Sequence, residues 1–366
     1  MKKWFCIAVL SYFIFFTCFI FSQENNNTQV SITSTNKNKI DSNYVKFYKD
    51  KLIVALWQSE RSFDILLNQR LYNYIGTNTA VNYIANSNNV TGLSVDYDII
   101  GLALGFRSIP SGDARTGNSK YIDFGFNINT SGFRFENSYK RYIGFYDDNS
   151  ANYIKPFINS TPYYQNPDLR LRVAKSKLLY TFNKRKFALS AAYANVKRQI
   201  RSQGSWIAVG NFYSFNFSTP SYIAPIPLKS FYGSTWGSFN KMTVSAFSAG
   251  FGATYTLVIF KGFYLNFLGS LGLERQYRRY YTYPDNKIAS YWKTRGAADW
   301  RSSLGFNGKR FFIRISGIYD FNNYESRELE FKMQFYAASF DFGYRFNFKA
   351  PAPYKKFQDS NIYKRL

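Results

Sequence analysis

From Ala249 to Glu274 the chain reads AGFGATYTLVIFKGFYLNFLGSLGLE, two arms of alternating character around an FKG turn. Phe251, Tyr255, Leu257 and Ile259 share one face of the first arm, and Gly250, Gly252, Thr254 and Thr256 share the other. In the second arm Phe263, Leu265, Phe267, Leu271 and Leu273 stand opposite Asn266, Ser270, Gly272 and Glu274, with Leu268 the one bulky residue on the polar side. A side-chain period of two is that of a strand. Each arm holds it for about ten residues, the length a tilted strand needs to cross a bilayer.

The same period recurs along the chain. Lys51 to Leu67 reads as a first strand, continuous or broken near Ser59, and Gly92 to Asp98 with Gly101 to Phe106 as a hairpin. Lys120 to Asn129 and Gly132 to Tyr146 pair around NTSG, Leu169 to Phe182 and Phe187 to Val196 around NKRK, with Gly204 to Phe217 beyond. Thr294 to Phe306, Phe311 to Asp320 and Phe331 to Phe346 complete the set. Short turns alternate with long segments at Tyr72 to Asn89, Ile109 to Ser119, Phe145 to Asp168 and Tyr281 to Trp292, the asymmetry of outer-membrane barrels. Such barrels have an even number of strands, and the stretch from Phe217 to Lys241 needs either a further crossing or a return inside the lumen. The expectation is an all-β, antiparallel transmembrane barrel of the outer-membrane type with about 14 strands, and 12 as the alternative.

The last strand puts Phe340, Phe342, Tyr344 and Phe346 on one face, whereas Phe331, Met333 and Phe335 have the opposite parity. A bulge near Tyr336 would reconcile the two halves. An aromatic closing strand that ends at Phe346 is a signal for barrel-assembly machinery.

Lys2 and Lys3 followed by an apolar run from Trp4 to Phe21 have the layout of a secretory signal peptide, expected to be cleaved near Gln23. Residues 24–43 read as a flexible periplasmic lead, 44–348 as the barrel and 349–366 as a basic periplasmic tail. Cys6 and Cys18, the two cysteines, would leave with the leader. The chain has no histidine. That removes the usual general base, the His-dependent triads and the commonest metal ligand. No catalytic set, metal site or cofactor is expected. Aromatic residues make up 21% of the chain, which suits a lipid face with interfacial girdles.

The segments KFYKDKLIVALW from Lys46, GLSVDYDIIGLALGF from Gly92, KYIDFGFNI from Lys120, YKRYIGFY from Tyr139, YYQNPDLRLRV from Tyr163 and GSWIAVGNFYSF from Gly204 carry a resemblance. With the Ala249 to Glu274 hairpin, they resemble an uncharacterised domain-of-unknown-function family from Bacteroidetes regarded as outer-membrane barrels. The resemblance implies a compartment, the outer membrane of a Gram-negative bacterium, and an architecture. It supplies no site residues.

A formal net charge of +25 suggests an anion channel until strand residues are sorted by face. The inward face is expected to carry Arg134, Lys140, Arg170, Arg172, Arg301, Arg314 and Arg345 against Asp96, Asp98, Asp123, Glu136, Glu274, Asp299, Asp320 and Asp341. That lumen is close to neutral, so the excess charge belongs to turns, loops and tail. On the outer side Lys197, Arg198, Arg201, Lys287 and Lys293 are expected. Arg278, Arg279, Tyr280 and Tyr281 are expected there as an outer loop that binds lipopolysaccharide phosphates or an acidic glycan. Although basic and aromatic residues interleave in QYRRYYTY, no nucleic-acid motif accompanies them, and nucleic acid is not an expected partner. Asp147 and Asp148 are a candidate pair of hard-cation ligands. Two functions remain: a passive pore for small solutes, or a closed barrel whose basic, aromatic outer loops bind a glycan, lipopolysaccharide or a partner protein.

Overall fold

A computed structural model describes residues 40–366 apart from 70–79, 87–88, 109–112, 285, 326–328, 362 and 364–366. The expected leader and most of the expected lead lie outside the described residues. Among the described residues fifteen strands are formed, twelve of them in the barrel wall. In chain order they are Val45–Phe47 (β1), Lys51–Gln69 (β2), Val81–Ile84 (β3), Asn89–Tyr97 (β4), Ile100–Arg107 (β5), Lys120–Asn129 (β6), Phe133–Asp147 (β7) and Tyr164–Thr181 (β8). Lys197–Gln199 (β9), Gln203–Ser218 (β10), Phe239–Phe260 (β11), Phe263–Thr282 (β12), Asn286–Asn307 (β13), Phe311–Glu325 (β14) and Leu329–Asn347 (β15) follow.

Twelve strands pair antiparallel in the order β2, β4, β5, β6, β7, β8, β10, β11, β12, β13, β14, β15, and β15 closes onto β2 over Lys51 to Gln69. Closure pairs every wall strand on both sides for at least part of its length, as spanning a membrane requires, but β13 meets β14 only from Trp300 to Asn307, and its outer part from Asn286 to Asp299 is paired with β12 alone. The end where β2 starts and β15 finishes is the inner, periplasmic end in barrels of this type. Near the outer end β4, β5 and β6 are short. There β3 bridges β2 and β7, pairing with both.

The count is therefore the alternative of twelve. The expected strand Phe187 to Val196 is instead part of an inner-end segment, residues 182–202, that turns into the lumen. Its residues are buried on all sides: Phe187, Leu189, Ala191, Ala192, Ala194 and Val196 are buried together with the polar Ser190 and Asn195, which no single-faced wall strand achieves. With that strand removed, β10 and β11 run antiparallel as direct neighbours, and residues 219–238 need no further crossing. They fold as an outer cap containing the 3₁₀ segment Ile226–Tyr232 and the short helix Gly233–Trp236.

No bulge occurs near Tyr336: β15 pairs with β14 and β2 in unbroken register. Phe331 simply points inward, where it is fully buried. The parity changed in appearance because the outer part of the lumen holds an apolar core. There Phe215, Phe217, Phe331, Met242, Val244 and Tyr83 pack beneath Leu228, Tyr232 and Trp236 of the cap. Edge-to-face ring contacts of Phe217 with Phe331 at 5.5 Å and of Trp236 with Tyr280 at 5.6 Å hold this core together. A rule that sends bulky residues to lipid and small ones to the lumen inverts wherever the lumen itself has a core.

Candidate functional site

Below the outer core the lumen is polar, and its charges are paired. Glu136 on β7 lies 2.5 Å from Arg134 Nε and 2.8 Å from Arg301 Nη1 of β13. Lys177 on β8 meets Asp299 on β13 at 2.5 Å, and Arg314 on β14 grips Asp341 on β15 through two nitrogens at 2.8 and 3.1 Å. Arg61 on β2 meets Asp123 on β6 at 2.7 Å and lies 5.0 Å above the Trp57 ring. The Trp57 indole runs across Gly92 and Gly105, where any Cβ would fall within 2.0 and 2.3 Å of it. Glycine at those two positions is a condition for the ring to lie flat on the wall. Asp96 is buried beside Gly101 and lines the same space.

These side chains surround a cavity of about 300 Å³. A second space of about 120 Å³ adjoins it, sharing Ser138, Lys140, Lys175, Lys177 and Phe335, where Gly250, Gly272 and Ser270 leave room. The expected inward face of the Ala249 to Glu274 hairpin thus lines the chamber. Further out, Tyr213 donates to Glu274 at 3.0 Å, Gln276 donates to Tyr213 at 3.2 Å, and Arg278 donates to Gln276 at 2.8 Å.

The inner end is closed by residues 182–202. β9 pairs with β1, and the helical turn Ser190–Tyr193 sits in the bore. Its carbonyls are satisfied by wall side chains. Arg314 donates to Ala192 O at 3.1 Å, Arg345 donates to Asn195 O at 2.8 Å, and Asn307 donates to Ala191 O and Lys197 O at 3.1 and 3.0 Å. Arg345 also donates to Gly308 O at 2.9 Å and lies 4.1 Å over Tyr48. Tyr193 stands between Arg134 and Arg301, each 5.9 Å from its ring. Leu268, the bulky residue on the polar face of β12, packs with Phe187 and Leu189.

Of the expected lumen residues, Asp123, Arg134, Glu136 and Arg301 form braces, Arg314 and Arg345 clamp the inner plug, and Asp96 lines the cavity. Arg61 and Lys177 were not among them, although the parity of their strands would have found both. Arg278, Arg279, Tyr280 and Tyr281 do not form a loop. They lie within β12, where Arg278 and Tyr280 are 0% and 1% exposed on the inner face and Arg279 and Tyr281 point outward. The expected loop from Tyr281 to Trp292 is a tight reversal, since β12 runs to Thr282 and β13 begins at Asn286. Arg170 and Arg172 also face outward, displaced by Leu169 and Leu171 in the apolar outer core. Lys197, Arg198 and Arg201 belong to the inner plug rather than the outer side.

Asp98 is not a lumen charge. It occupies the β4–β5 turn at φ 53° and accepts hydrogen bonds from Tyr354, Gln358 and Tyr363 of the C-terminal segment, at 3.1, 3.0 and 2.6 Å. Asp147 accepts from the Asn82 and Asn149 amides and the Tyr153 hydroxyl, a loop-bracing role. Among the described residues no cluster of three His, Cys, Asp or Glu could hold a metal ion.

Solved structures with a similar fold include the outer membrane protease OmpT from Escherichia coli, at 9% identity over 82% of this chain and 98% of that one, with a TM-score of 0.36. They also include the COG4313 outer membrane channel from Pseudomonas putida F1, at 8% identity over 84% and 99% with a TM-score of 0.32. A Pseudomonas aeruginosa FadL homologue shows 10% identity over 82% and 91% with a TM-score of 0.30. No curated protein matches the sequence. The profile of one family matches residues 39–346, nearly the whole barrel, and the chain belongs to that family, described as a domain of unknown function (DUF4421).

Proposed function

We propose that this protein is a closed outer-membrane barrel that does not conduct small solutes, and that its role is binding at its outer end. The observation that carries this reading is the filling of the bore: an apolar core outside, cross-lumen ion pairs in the middle and a hydrogen-bonded plug inside. A passive pore needs a continuous aqueous path. Here the polar chamber is bounded at both ends by buried side chains, and buried ion pairs lock its walls.

The reading includes no enzymatic activity. Export by a cleaved leader and recognition of β15 by assembly machinery, through the outward Phe340, Phe342, Tyr344 and Phe346, belong to it. Liposome swelling tests it: proteoliposomes should swell in isotonic small sugars no faster than empty vesicles, and porin-like swelling would sink the closed-barrel reading.

A further inference from the structure

Above the bulky lipid-facing side chains, the outer wall changes character over two successive rungs. Arg141, Arg172, Asn216, Thr243 and Arg279 stand side by side on β7, β8, β10, β11 and β12 in continuous register. One rung further out come Ile143, Arg170, Ser218, Lys241 and Tyr281. Their inward neighbours Leu171, Phe217, Met242 and Tyr280 are buried in the outer core, so these side chains point away from the lumen. Strands about 4.8 Å apart give the five-strand patch a width of about 19 Å.

The patch is built of unbalanced charge. Arg141 and Arg172 are direct cross-strand neighbours, an arrangement of like charges that is unfavourable on its own. Among the described residues none of the five cations forms an ion pair, and Asp168, further out on β8, is exposed. The Nε atoms of Arg141, Arg170 and Arg279 are shielded from solvent and have no hydrogen-bond partner. Arg170, Arg172, Ser218 and Lys241 line a concavity of about 250 Å³. Lys241 lies over Tyr281 at 4.7 Å and Arg279 over Tyr277 at 5.7 Å, which turns both cations along the wall.

The next rung inward reads Tyr139, Ala174, Ser214, Ser245 and Tyr277, small side chains between two tyrosines. Below that, Phe212 and Phe247 meet at 5.0 Å, and Leu271 and Leu273 are exposed. The order from the rim inward is cations, a shallow trough flanked by phenols, then hydrocarbon. We propose that this outward face binds the phosphate groups of a phosphorylated glycolipid of the outer leaflet, with its sugars over the trough and its acyl chains on the Phe212 and Phe247 surface. Guanidinium forks suit phosphate, and an anion between Arg141 and Arg172 converts their repulsion into a two-point clamp. The site lies on the wall and is independent of whether the lumen conducts.

The full-length barrel, folded in detergent and checked by its heat-modifiable gel shift, is titrated with bis-phosphorylated lipid A, with phosphatase-treated lipid A and with phosphatidylglycerol, followed by native mass spectrometry. Bis-phosphorylated lipid A should be retained, and Arg141→Gln/Arg172→Gln should lose roughly thirtyfold in affinity, about fivefold per cation. Lys309→Gln/Arg310→Gln, in the inner turn, should leave retention unchanged. The paired variant removes a repulsion and is expected to fold. Equal retention of the dephosphorylated lipid or of phosphatidylglycerol, or undiminished retention by the paired variant, overturns the proposal.

Discussion

Arg301 on β13 reaches across the lumen to Glu136 on β7 and donates to both carboxylate oxygens, at 2.8 and 2.9 Å, although 165 residues separate them in the chain. Arg301 is buried and Glu136 largely so, and Arg134 binds the same carboxylate. The contact ties together strands five places apart in the ring, so it resists widening of the bore as well as unfolding.

Removing that carboxylate charge leaves the buried Arg134 guanidinium without its carboxylate and Arg301 with only Asp299, 3.7 Å from its Nε. Glu136→Gln is expected to destabilise the barrel by about 3–5 kcal/mol, and Glu136→Gln/Arg301→Gln by less than that. Urea unfolding in lipid vesicles, followed by tryptophan fluorescence, measures both. Equal losses for the two variants would contradict the bracing role.

The inner plug depends on donors from the wall. Arg345→Ala leaves Asn195 O and Gly308 O without their guanidinium donor, at a cost of roughly 1–3 kcal/mol concentrated at this segment. Trypsin added from the inner side should then cut at Lys197 and Arg198, which the wild-type protein protects. Protection unchanged in the variant would show that the clamp is dispensable.

Trp57 needs bare backbone beneath it. Gly92→Ala would place a methyl group within 2.0 Å of the indole, and the ring must lift from Gly92 and Gly105 and disturb Arg61. A loss of about 1–3 kcal/mol is expected. Gly210→Ala, where a Cβ meets nothing within 4 Å, should change stability little. The two midpoints, compared in one denaturation series, check this.

Docking of the C-terminal helix Ala352–Asp359 on the Asp98 turn should depend on pH in one direction. Burial first, and then the Asp98 carboxylate, raises the phenol pKa of Tyr354, and burial followed by the hydrogen bond to Asp98 raises that of Tyr363. A folded-state pKa above the free value means that docking is fully stabilised below about pH 10 and weakens as pH rises through the raised value. A spin label at Lys356→Cys, with Cys6 and Cys18 changed to Ser, should stay immobile at neutral pH and loosen in alkali. Asp98→Asn, which keeps the left-handed turn, should loosen it at neutral pH. A label mobile in the wild type at pH 7 would refute the docking.

The barrel was legible because lipid imposes a period of two on every crossing strand, as in Phe251 to Ile259 and Phe340 to Phe346. What fills it was less so. Phe187 to Val196 mimics a strand because a segment buried on all sides is mostly apolar, and its two polar residues, Ser190 and Asn195, are buried too. Phe331 and Leu171 look like lipid-facing residues because a lumen core uses the same side chains as a membrane surface. One signal was present: Leu268, alone on the polar face of β12, is where the plug's Phe187 and Leu189 press against the wall. The placement of Arg278 and Arg279 failed for a related reason, since charge density suggested a loop while unbroken pairing with β11 and β13 keeps both in a strand.

Single-channel recording in planar bilayers tests the closed bore most directly, with Arg314→Ala/Arg345→Ala as the unclamped comparison. The wild-type protein, inserted and heat-modifiable, is expected to give no steady conductance, and the variant to give intermittent openings as residues 182–202 leave the bore. A steady, ohmic conductance in the wild type, equal to that of the variant, would contradict the account.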